Sequence, residues 1–304
     1  MTKQVDRSPD APRRRPLHPA LGLVALNVAA RALSVVSPRL AGRWMVKMFT
    51  TPKRHKAPPR ESDWMTGSRL ERITGAGQEV PLYHWGGDGP IILLVHGFAG
   101  RGSQMGAFAA PLVAAGFHVV AMDLPAHGRA AGSHSAPPDM AKAIALAAAH
   151  LGSVFGVVAH SVGCLSTALA MSQGMRVAAV AFIAPPVSAR GRLEAFARFV
   201  GFSPAALPFA HRILARRYGV GIETLETEEM VPGREVGVLI LHDRADPMVP
   251  FEEGARLAEQ WRGAALVATD GLGHTRILRD AEVTQQVVGF LSAKAAKAGA
   301  APAA

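Results

Sequence analysis

The residues best suited to chemistry surround Ser161, in the segment Val157-Val158-Ala159-His160-Ser161-Val162-Gly163. A hydrophobic run ends directly before this serine, and a stretch with helical character follows it. Small residues at 159 and 163 permit a sharp strand-to-helix turn, which would hold the serine hydroxyl exposed above a sheet. The free N–H groups at the start of the helix would lie beside developing negative charge. The pattern predicts a nucleophilic serine, and the alternative is a serine that only caps a helix.

A serine hydroxyl attacks only when an adjacent base takes its proton and an acid orients that base. His274 follows a short apolar run in the Gly-flanked segment Gly271-Leu272-Gly273-His274. Two acids, Asp243 and Asp246, stand at the end of another hydrophobic run. Asp246 is preferred because it lies on the loop beyond the run, whereas Asp243 is better placed to brace that loop. The sequence therefore predicts Ser161, His274 and Asp246 as catalytic residues, with Asp243 as the alternative acid.

The elements that must position these residues are alternating strands and helices. Hydrophobic, strand-like runs occupy 91–96, 117–123, 154–160, 177–184 and 236–243, with a weaker run at 265–269. Helix-like stretches lie between and after them, at about 104–115, 139–151, 161–174, 252–262 and 276–297. Residues 69–90 predict two short antiparallel strands. The order is typical of an α/β fold with a mostly parallel sheet of eight strands, flanked by helices, with chemistry at the strand ends.

These motifs, taken in order, resemble those of the α/β-hydrolase superfamily over residues 69–295. His96-Gly97-Phe98-Ala99-Gly100 resembles its oxyanion loop. Asp123-Leu124-Pro125-Ala126-His127-Gly128 resembles its Asp-x-Pro-Gly-His-Gly loop, with alanine in place of one glycine, as also at Ala159. The resemblance implies the order serine, acid, histidine, and an oxyanion held by the backbone N–H groups of Phe98 and Val162.

Between residues 185 and 232 the strand rhythm stops, and the segment predicts a small helical cap above the site. Its phenylalanines, Phe196 and Phe199 among them, indicate an apolar roof that would bind substrate. The predicted function is cleavage of apolar carboxylic esters. Thioesterase, lysophospholipase or monoacylglycerol lipase, and serine peptidase remain as alternatives on the same residues. A non-catalytic binding protein of the same fold is the alternative from a different class.

The composition argues against disulfide-rich, metal-dependent and nucleotide-dependent classes of protein. The chain has 304 residues, of which 49% are hydrophobic and 18% charged, enough for a large core. A single cysteine, Cys164, excludes a disulfide framework or a cysteine zinc cluster. No metal or other cofactor is predicted, since the histidines lack the spacing of a metalloprotease helix and no Walker-type loop is present. The oligomeric state stays open.

The charge is concentrated at the N-terminal end. Residues 1–60 hold 13 basic residues and two acids, a net +11, whereas the rest has 20 basic and 21 acidic residues, a net −1. Because the remainder is balanced, no nucleic-acid partner is predicted. The domain boundary is placed at residue 60, between a basic arm with one helix and a hydrolase domain over 61–304; residues 51–60 would form a linker.

Three interpretations of the apolar stretch at 20–36 compete. It could pack on the body as a surface helix. It could accompany peripheral contact of residues 1–60 with an anionic membrane, through Arg13–Arg15, Arg39, Arg43 and Lys47. It could also be a secretory signal, although Asn27 interrupts the apolar region. No apolar run reaches the roughly 18 residues of a membrane span. A cytoplasmic protein, membrane-associated or not, is therefore favoured over a secreted one.

Overall fold

The computed structural model describes residues 19–75, 77–230 and 235–299. Within these ranges the strands form one sheet of eight, in the order β1-β2-β4-β3-β5-β6-β7-β8. The strands are β1 Arg69–Gly75, β2 Gln78–Trp85, β3 Ile91–Val95, β4 His118–Met122, β5 Val154–His160, β6 Ala179–Ile183, β7 Gly237–Asp243 and β8 Ala265–Thr269.

The sheet is mostly parallel. Only β2 runs against its two neighbours, β1 and β4, and the pairs from β4 across to β8 are all parallel. The six hydrophobic runs and the antiparallel pair predicted from the sequence all form strands. The predicted fold class, a mostly parallel eight-stranded α/β sheet flanked by helices, is confirmed.

The α-helices connect these strands and cover the sheet. In the described ranges they are α1 Pro19–Val36, α2 Pro38–Thr50, α3 Pro59–Trp64, α4 Ala109–Ala114, α5 Pro137–Leu151, α6 Val162–Ser172, α7 Ala189–Val200, α8 Leu207–Tyr218, α9 Phe251–Gln260, α10 Gly273–Arg276 and α11 Ala281–Lys297. A 3₁₀ segment, Gly102–Phe108, precedes α4.

Each central strand contributes side chains to two hydrophobic cores, because successive side chains point to opposite faces of a sheet. In β3, Leu93 and Val95 belong to the core that includes α5 and α6. Ile92 and Leu94 belong to the core that includes α4 and α11. Both faces of the sheet are therefore covered, which leaves the carboxyl ends of the strands as the place where a site can open.

The N-terminal region differs from its prediction of a single helix. Pro38 begins a second helix, α2, instead of only ending the first. Proline is favoured at the first helical position because its missing N–H would have no partner there, and the Ser37 side chain accepts the Leu40 N–H at 3.3 Å. Residues 51–58 have no regular structure, in line with a linker, but α3 begins at Pro59. Residues 1–18, with Arg13–Arg15, lie outside the described ranges.

The helix α2 packs into the body. Ala41, Met45 and Val46 are buried in the larger core. At Gly42 the helix crosses α8 so closely that a Cβ would lie 2.7 Å from Phe209 Cβ. This part of the predicted arm is therefore continuous with the folded molecule.

The segment after β6 contains α7, α8 and three single-turn 3₁₀ helices, at Pro204–Ala206, Ile222–Thr224 and Thr227–Glu229. It lies where the sequence predicts a helical cap, and the end of that predicted range, residues 231 and 232, falls outside the described part. No helix in the described ranges is both long and apolar enough to cross a bilayer.

Candidate active site

Ser161 sits on the sharp turn between β5 and α6. Its backbone adopts φ 53° and ψ −129°, a conformation that non-glycine residues rarely hold. The Ser161 N–H donates to the Ile183 carbonyl at 2.9 Å, and its own carbonyl accepts the Cys164 N–H at 2.8 Å. A side chain at Gly163 would come within 2.5 Å of the His96 carbonyl oxygen. Glycine is thus required at position 163, two residues after the serine, because the backbone of His96 passes close to it.

Backbone strain is repeated along this edge of the sheet. The strands β3, β4, β5 and β6 are followed within four residues by Ala99, Ala126, Ser161 and Ala184, which have φ of 56°, 65°, 53° and 51°. Left-handed backbone is costly for residues with a Cβ. Ala126 stands where the resembled motif has glycine, and its φ shows why glycine suits that position.

The structure brings the three predicted catalytic side chains together. Ser161 Oγ lies 3.0 Å from His274 Nε2, a distance at which the hydroxyl donates to the ring. On the other side of the ring, His274 Nδ1 donates to Asp246 Oδ2 at 2.7 Å. Asp246 and His274 are buried, whereas Ser161 is partly exposed to the cavity described below. The three residues form one continuous chain of hydrogen bonds.

The Asp246 carboxylate is held in place by the backbone as well. Its Oδ1 accepts the N–H groups of Met248 at 2.7 Å and Val249 at 3.0 Å. Burial by itself would raise the pKa of Asp246. The neighbouring rings of His242 and His274, together with the Val249 N–H, outweigh burial and lower this pKa well below its usual range. The side chain is therefore ionised and available to hold an imidazolium.

The alternative acid, Asp243, makes its hydrogen bonds to groups other than the His274 ring. Its Oδ1 accepts the Ala245 N–H at 3.0 Å, and its Oδ2 accepts the Thr269 hydroxyl and the Leu272 N–H, both at 2.8 Å. Burial opposes its ionisation, but these hydrogen bonds prevail and lower the pKa of Asp243. Asp243 therefore ties the acid loop to the histidine loop and braces both.

One contact of the site has no signal in the sequence. His160, directly before Ser161, donates from Nε2 to the backbone carbonyl of His274 at 2.8 Å. The two rings lie 4.6 Å apart between centroids. Burial, followed by the nearby His274, lowers the pKa of His160 to about 3, so the ring is neutral near neutral pH. His160 thus fixes the histidine loop on the nucleophile turn. A position next to a serine does not reveal a partner 114 residues away.

The predicted oxyanion donors lie beside the serine. Phe98 and Val162 line the same cavity as Ser161 and His274. Val162 is the first residue of α6, where an N–H has no acceptor within the helix. The loop of Phe98 approaches the serine closely, because a Cβ at Gly97 would lie 2.9 Å from Ser161 Cβ. His96 anchors this loop, since its Nδ1 donates to the Gly97 carbonyl at 2.7 Å.

Above the serine lies a cavity of about 300 Å³. Its lining is almost entirely apolar and includes Met48, Phe49, Leu165, Pro186, Phe196, Leu214, Ile222, Leu225, Met248 and Val249. The segment after β6, together with α2, α6 and the loop after β7, therefore surrounds the cavity with hydrocarbon. Among the described residues, no group of three or more His, Cys, Asp or Glu side chains is placed to hold a metal ion.

The cap residues predicted from the sequence behave differently from each other. Phe196 lines the cavity, but Phe199 does not and is 66% exposed. Composition cannot tell which face of α7 turns inward; Leu193, Ala197 and Val200 take the buried face. Sequence reasoning also missed Met48 and Phe49, which α2 contributes from the N-terminal region.

The family described as "Alpha/beta hydrolase family" has a model that matches residues 92–286. The chain belongs to the alpha/beta hydrolase family. The match runs from β3 into α11 and so contains all three residues of the hydrogen-bonded chain. No protein of curated function matches this hydrolase in sequence.

Solved structures share its fold at low identity. An esterase from Pyrococcus furiosus is 18% identical with a TM-score of 0.63, covering 80% of this chain and 97% of its own. A putative lipase from Acinetobacter baumannii is 17% identical with a TM-score of 0.61, covering 81% and 99%. A protein described as a membrane phospholipase A and bacterial virulence factor is 20% identical with a TM-score of 0.60, covering 90% and 98%.

Proposed function

We propose that this alpha/beta hydrolase cleaves carboxylic esters of apolar substrates through an acyl-enzyme intermediate on Ser161. The observation that carries the proposal is the unbroken chain from Ser161 through His274 to Asp246, which opens onto an apolar cavity. A non-catalytic binding protein has no need of an ionised, buried carboxylate aligned on a histidine beside a strained serine.

In the proposed first step, Ser161 Oγ attacks the carbonyl carbon of the ester while His274 Nε2 takes its proton. Asp246 stabilises the imidazolium that forms and keeps Nδ1 protonated. The oxygen of the tetrahedral intermediate accepts from the backbone N–H groups of Phe98 and Val162. The C–O bond then breaks, and the departing alcohol takes the proton from His274. Water attacks the acyl-enzyme by the same route and releases the acid.

The substrate class is inferred from the cavity. Hydrocarbon lines nearly all of it, so an apolar acyl or alcohol group gains by entering, whereas a sugar or a peptide backbone would lose hydrogen bonds to water. Similar folds occur in proteins described as an esterase and a putative lipase. Thioesters, lysophospholipids, monoacylglycerols and peptide bonds could react by the same steps and are the alternatives.

The nucleophile is tested by labelling the protein with a fluorophosphonate and locating the adduct by mass spectrometry. We expect the label on Ser161, and we expect Ser161→Ala to lose ester hydrolysis by several orders of magnitude while its melting temperature stays close to that of the wild type. Ser172→Ala, an exposed serine at the end of the same helix, is the control. Labelling elsewhere, or more than a few per cent of residual activity in Ser161→Ala, would reject the proposal.

The substrate class is tested with p-nitrophenyl esters from acetate to palmitate and the paired variants Phe196→Ala and Phe199→Ala. Only Phe196 lines the cavity, so its truncation should change kcat/KM most for the longer acyl chains. Phe199→Ala should leave the chain-length profile as it is. If both variants shift the profile equally, the cavity does not hold the acyl chain.

For its setting we propose the cytoplasm, with peripheral contact to an anionic membrane through residues 1–60. The net charge of +11 in this segment supports the contact, because basic side chains are attracted to anionic lipid surfaces. A protein of similar fold is described as a membrane phospholipase A.

A further inference from the structure

The helix α1 presents an apolar face to solvent. Leu21, Val24, Val28 and Val35 are 60%, 60%, 62% and 83% exposed. At about 100° per residue these four lie within an arc of about 60° on one side of the helix. The opposite side, with Ala30 and Ser34, is buried. A helix that is apolar on both sides is normally covered on both, and within the described ranges no residue covers the outer face of α1.

Four arginines converge beside this helix. Arg39 and Arg43 on α2, and Arg212 and Arg216 on α8, line one shallow cavity of about 280 Å³ together with Phe209 and Ile213. Each pair is spaced by four residues, which places both side chains on one face of its helix. We call this set the arginine cluster.

Among the described residues, the arginine cluster has no acidic partner. None of the described side chains that line its cavity is acidic. In the part of the chain that the structure describes, the ion pairs leave out all four arginines. Arg212 instead lies over the Phe209 ring, with Cζ 4.6 Å from its centroid. Four guanidinium groups that line one cavity favour an anion with several oxygens, such as a phosphate ester.

The apolar face and the arginine cluster lie on adjoining helices. Ser37 joins α1 to α2, and the exposed residue Leu40 stands between Arg39 and Arg43 in the sequence of α2. Asn27 of α1 donates from Nδ2 to the Phe199 carbonyl at 3.4 Å, which places the exposed Phe199 beside the helix. Apolar side chains flanked by arginines match the two layers of a lipid surface, its acyl chains and its phosphates.

We propose that the apolar face of α1 and the arginine cluster together bind an anionic bilayer. The helix α1 would lie in the interface, and the arginine cluster would contact the lipid phosphates. The inference deepens the proposed membrane contact and is independent of the ester chemistry. It assigns part of the contact to Arg212 and Arg216, which lie on α8 and outside the basic segment 1–60. Net charge by itself would not distinguish these two arginines from others on the body.

The charge component is tested by co-sedimentation of the full chain with phosphatidylcholine vesicles, with and without phosphatidylglycerol, at low and high salt. We expect binding only to the anionic vesicles, weakened by salt. Arg212→Gln with Arg216→Gln should weaken it by about tenfold or more. The control removes the same charge from other elements, with Arg262→Gln and Arg279→Gln, and should bind as the wild type does.

The apolar component is tested with Val24→Asn and Val28→Asn, which change exposed side chains only. We expect them to reduce binding to anionic vesicles even at low salt, whereas Leu266→Asn, an exposed side chain on β8, should not. An environment-sensitive dye on Val28→Cys should shift to shorter wavelength with anionic vesicles, and a dye on Lys297→Cys should not.

Several results would overturn the inference, and they differ from a failure of the proposed chemistry. Equal binding by the Arg212/Arg216 variant and its control would leave only a general attraction of residues 1–60. An absence of vesicle binding by the wild type would reject both. A concentration-dependent dimer that Val24→Asn and Val28→Asn abolish would assign the face to a second copy of the chain. Binding of inorganic phosphate without vesicle binding would reduce the cluster to a phosphate site.

All variants should hydrolyse a water-soluble ester normally, and Ser161→Ala should bind vesicles normally.

Discussion

At the scale of single residues, Asp243 and Asp246 have different roles although they lie only three positions apart. Asp246 accepts from His274 Nδ1, whereas Asp243 ties Thr269 and Leu272 to the acid loop. The sequence favours Asp246 and keeps Asp243 as the alternative acid, because both stand at the end of the same hydrophobic run. Which carboxylate meets the histidine depends on the path of the loop, and that path depends on the backbone N–H groups of Met248 and Val249 that hold Asp246.

We predict a separation of effects between the two amides. Asp246→Asn should lower kcat by on the order of 10⁴-fold, because the amide no longer favours the reactive histidine tautomer, with little change in melting temperature. Asp243→Asn should lower the melting temperature, because it weakens two hydrogen bonds that join the acid loop to Thr269 and Leu272 and one within the acid loop. Steady-state kinetics and thermal melts on both proteins check this. The opposite pattern would exchange the two roles.

At the scale of elements, α2 connects the N-terminal region to the site. Its side chains Met48 and Phe49 line the cavity, and its Gly42 touches α8. Alternating strands and helices were readable from the sequence because their patterns are local. The packing of α2 on α8 was not, because it joins residues about 170 positions apart in the chain and no periodicity specifies the partner of a helix face.

Two helical glycines provide a matched test of this packing. A Cβ at Gly42 would lie 2.7 Å from Phe209 Cβ and 2.9 Å from the Ala206 carbonyl oxygen, whereas a Cβ at Gly22 would meet nothing within 4 Å. By helix propensity alone, alanine in place of glycine stabilises either helix by about 1 kcal/mol. We expect Gly22→Ala to leave stability equal or slightly higher, and Gly42→Ala to lower the free energy of unfolding by about 1 kcal/mol or more, because α2 must move off α8.

Denaturant melts of both variants give these values. Equal stabilisation of the two would mean that α2 is not packed against α8 as described. A loss of activity on long-chain esters in Gly42→Ala alone would further support the role of α2 in the roof of the cavity.

At the scale of the whole molecule, buried neutral histidines make folding depend on pH. Burial, before any other cause, lowers the pKa of His96 far below 6.5 and that of His160 to about 3. In the unfolded chain these rings bind protons near pH 6.5. Between those limits the unfolded state therefore carries more protons, so stability is complete above about pH 6.5 and is lost as the pH falls.

We predict that the free energy of unfolding, measured by urea melts between pH 4.5 and 7.5, falls steadily below about pH 6.5. His160→Gln should flatten this dependence, by up to about 1.4 kcal/mol per pH unit, because one proton fewer is bound on unfolding. His55→Gln, which changes an exposed ring, is the control and should keep the slope of the wild type. A slope unchanged in His160→Gln would show that this ring is protonated in the folded protein.

The sequence by itself determined the strand order along the chain, the mostly parallel sheet and the serine, acid and histidine candidates. Each of these rests on a local pattern, either a hydrophobic run or a turn with small residues. Hydrophobic burial and backbone sterics make such a pattern typical of one local structure. Only the tertiary structure decided between Phe196 and Phe199, placed His160 on the carbonyl of His274, and gathered Arg39, Arg43, Arg212 and Arg216 into one cluster. Each of these features depends on which helix and loop surfaces pack together although they are far apart in the sequence. Side-chain packing in the folded protein determines which of them meet.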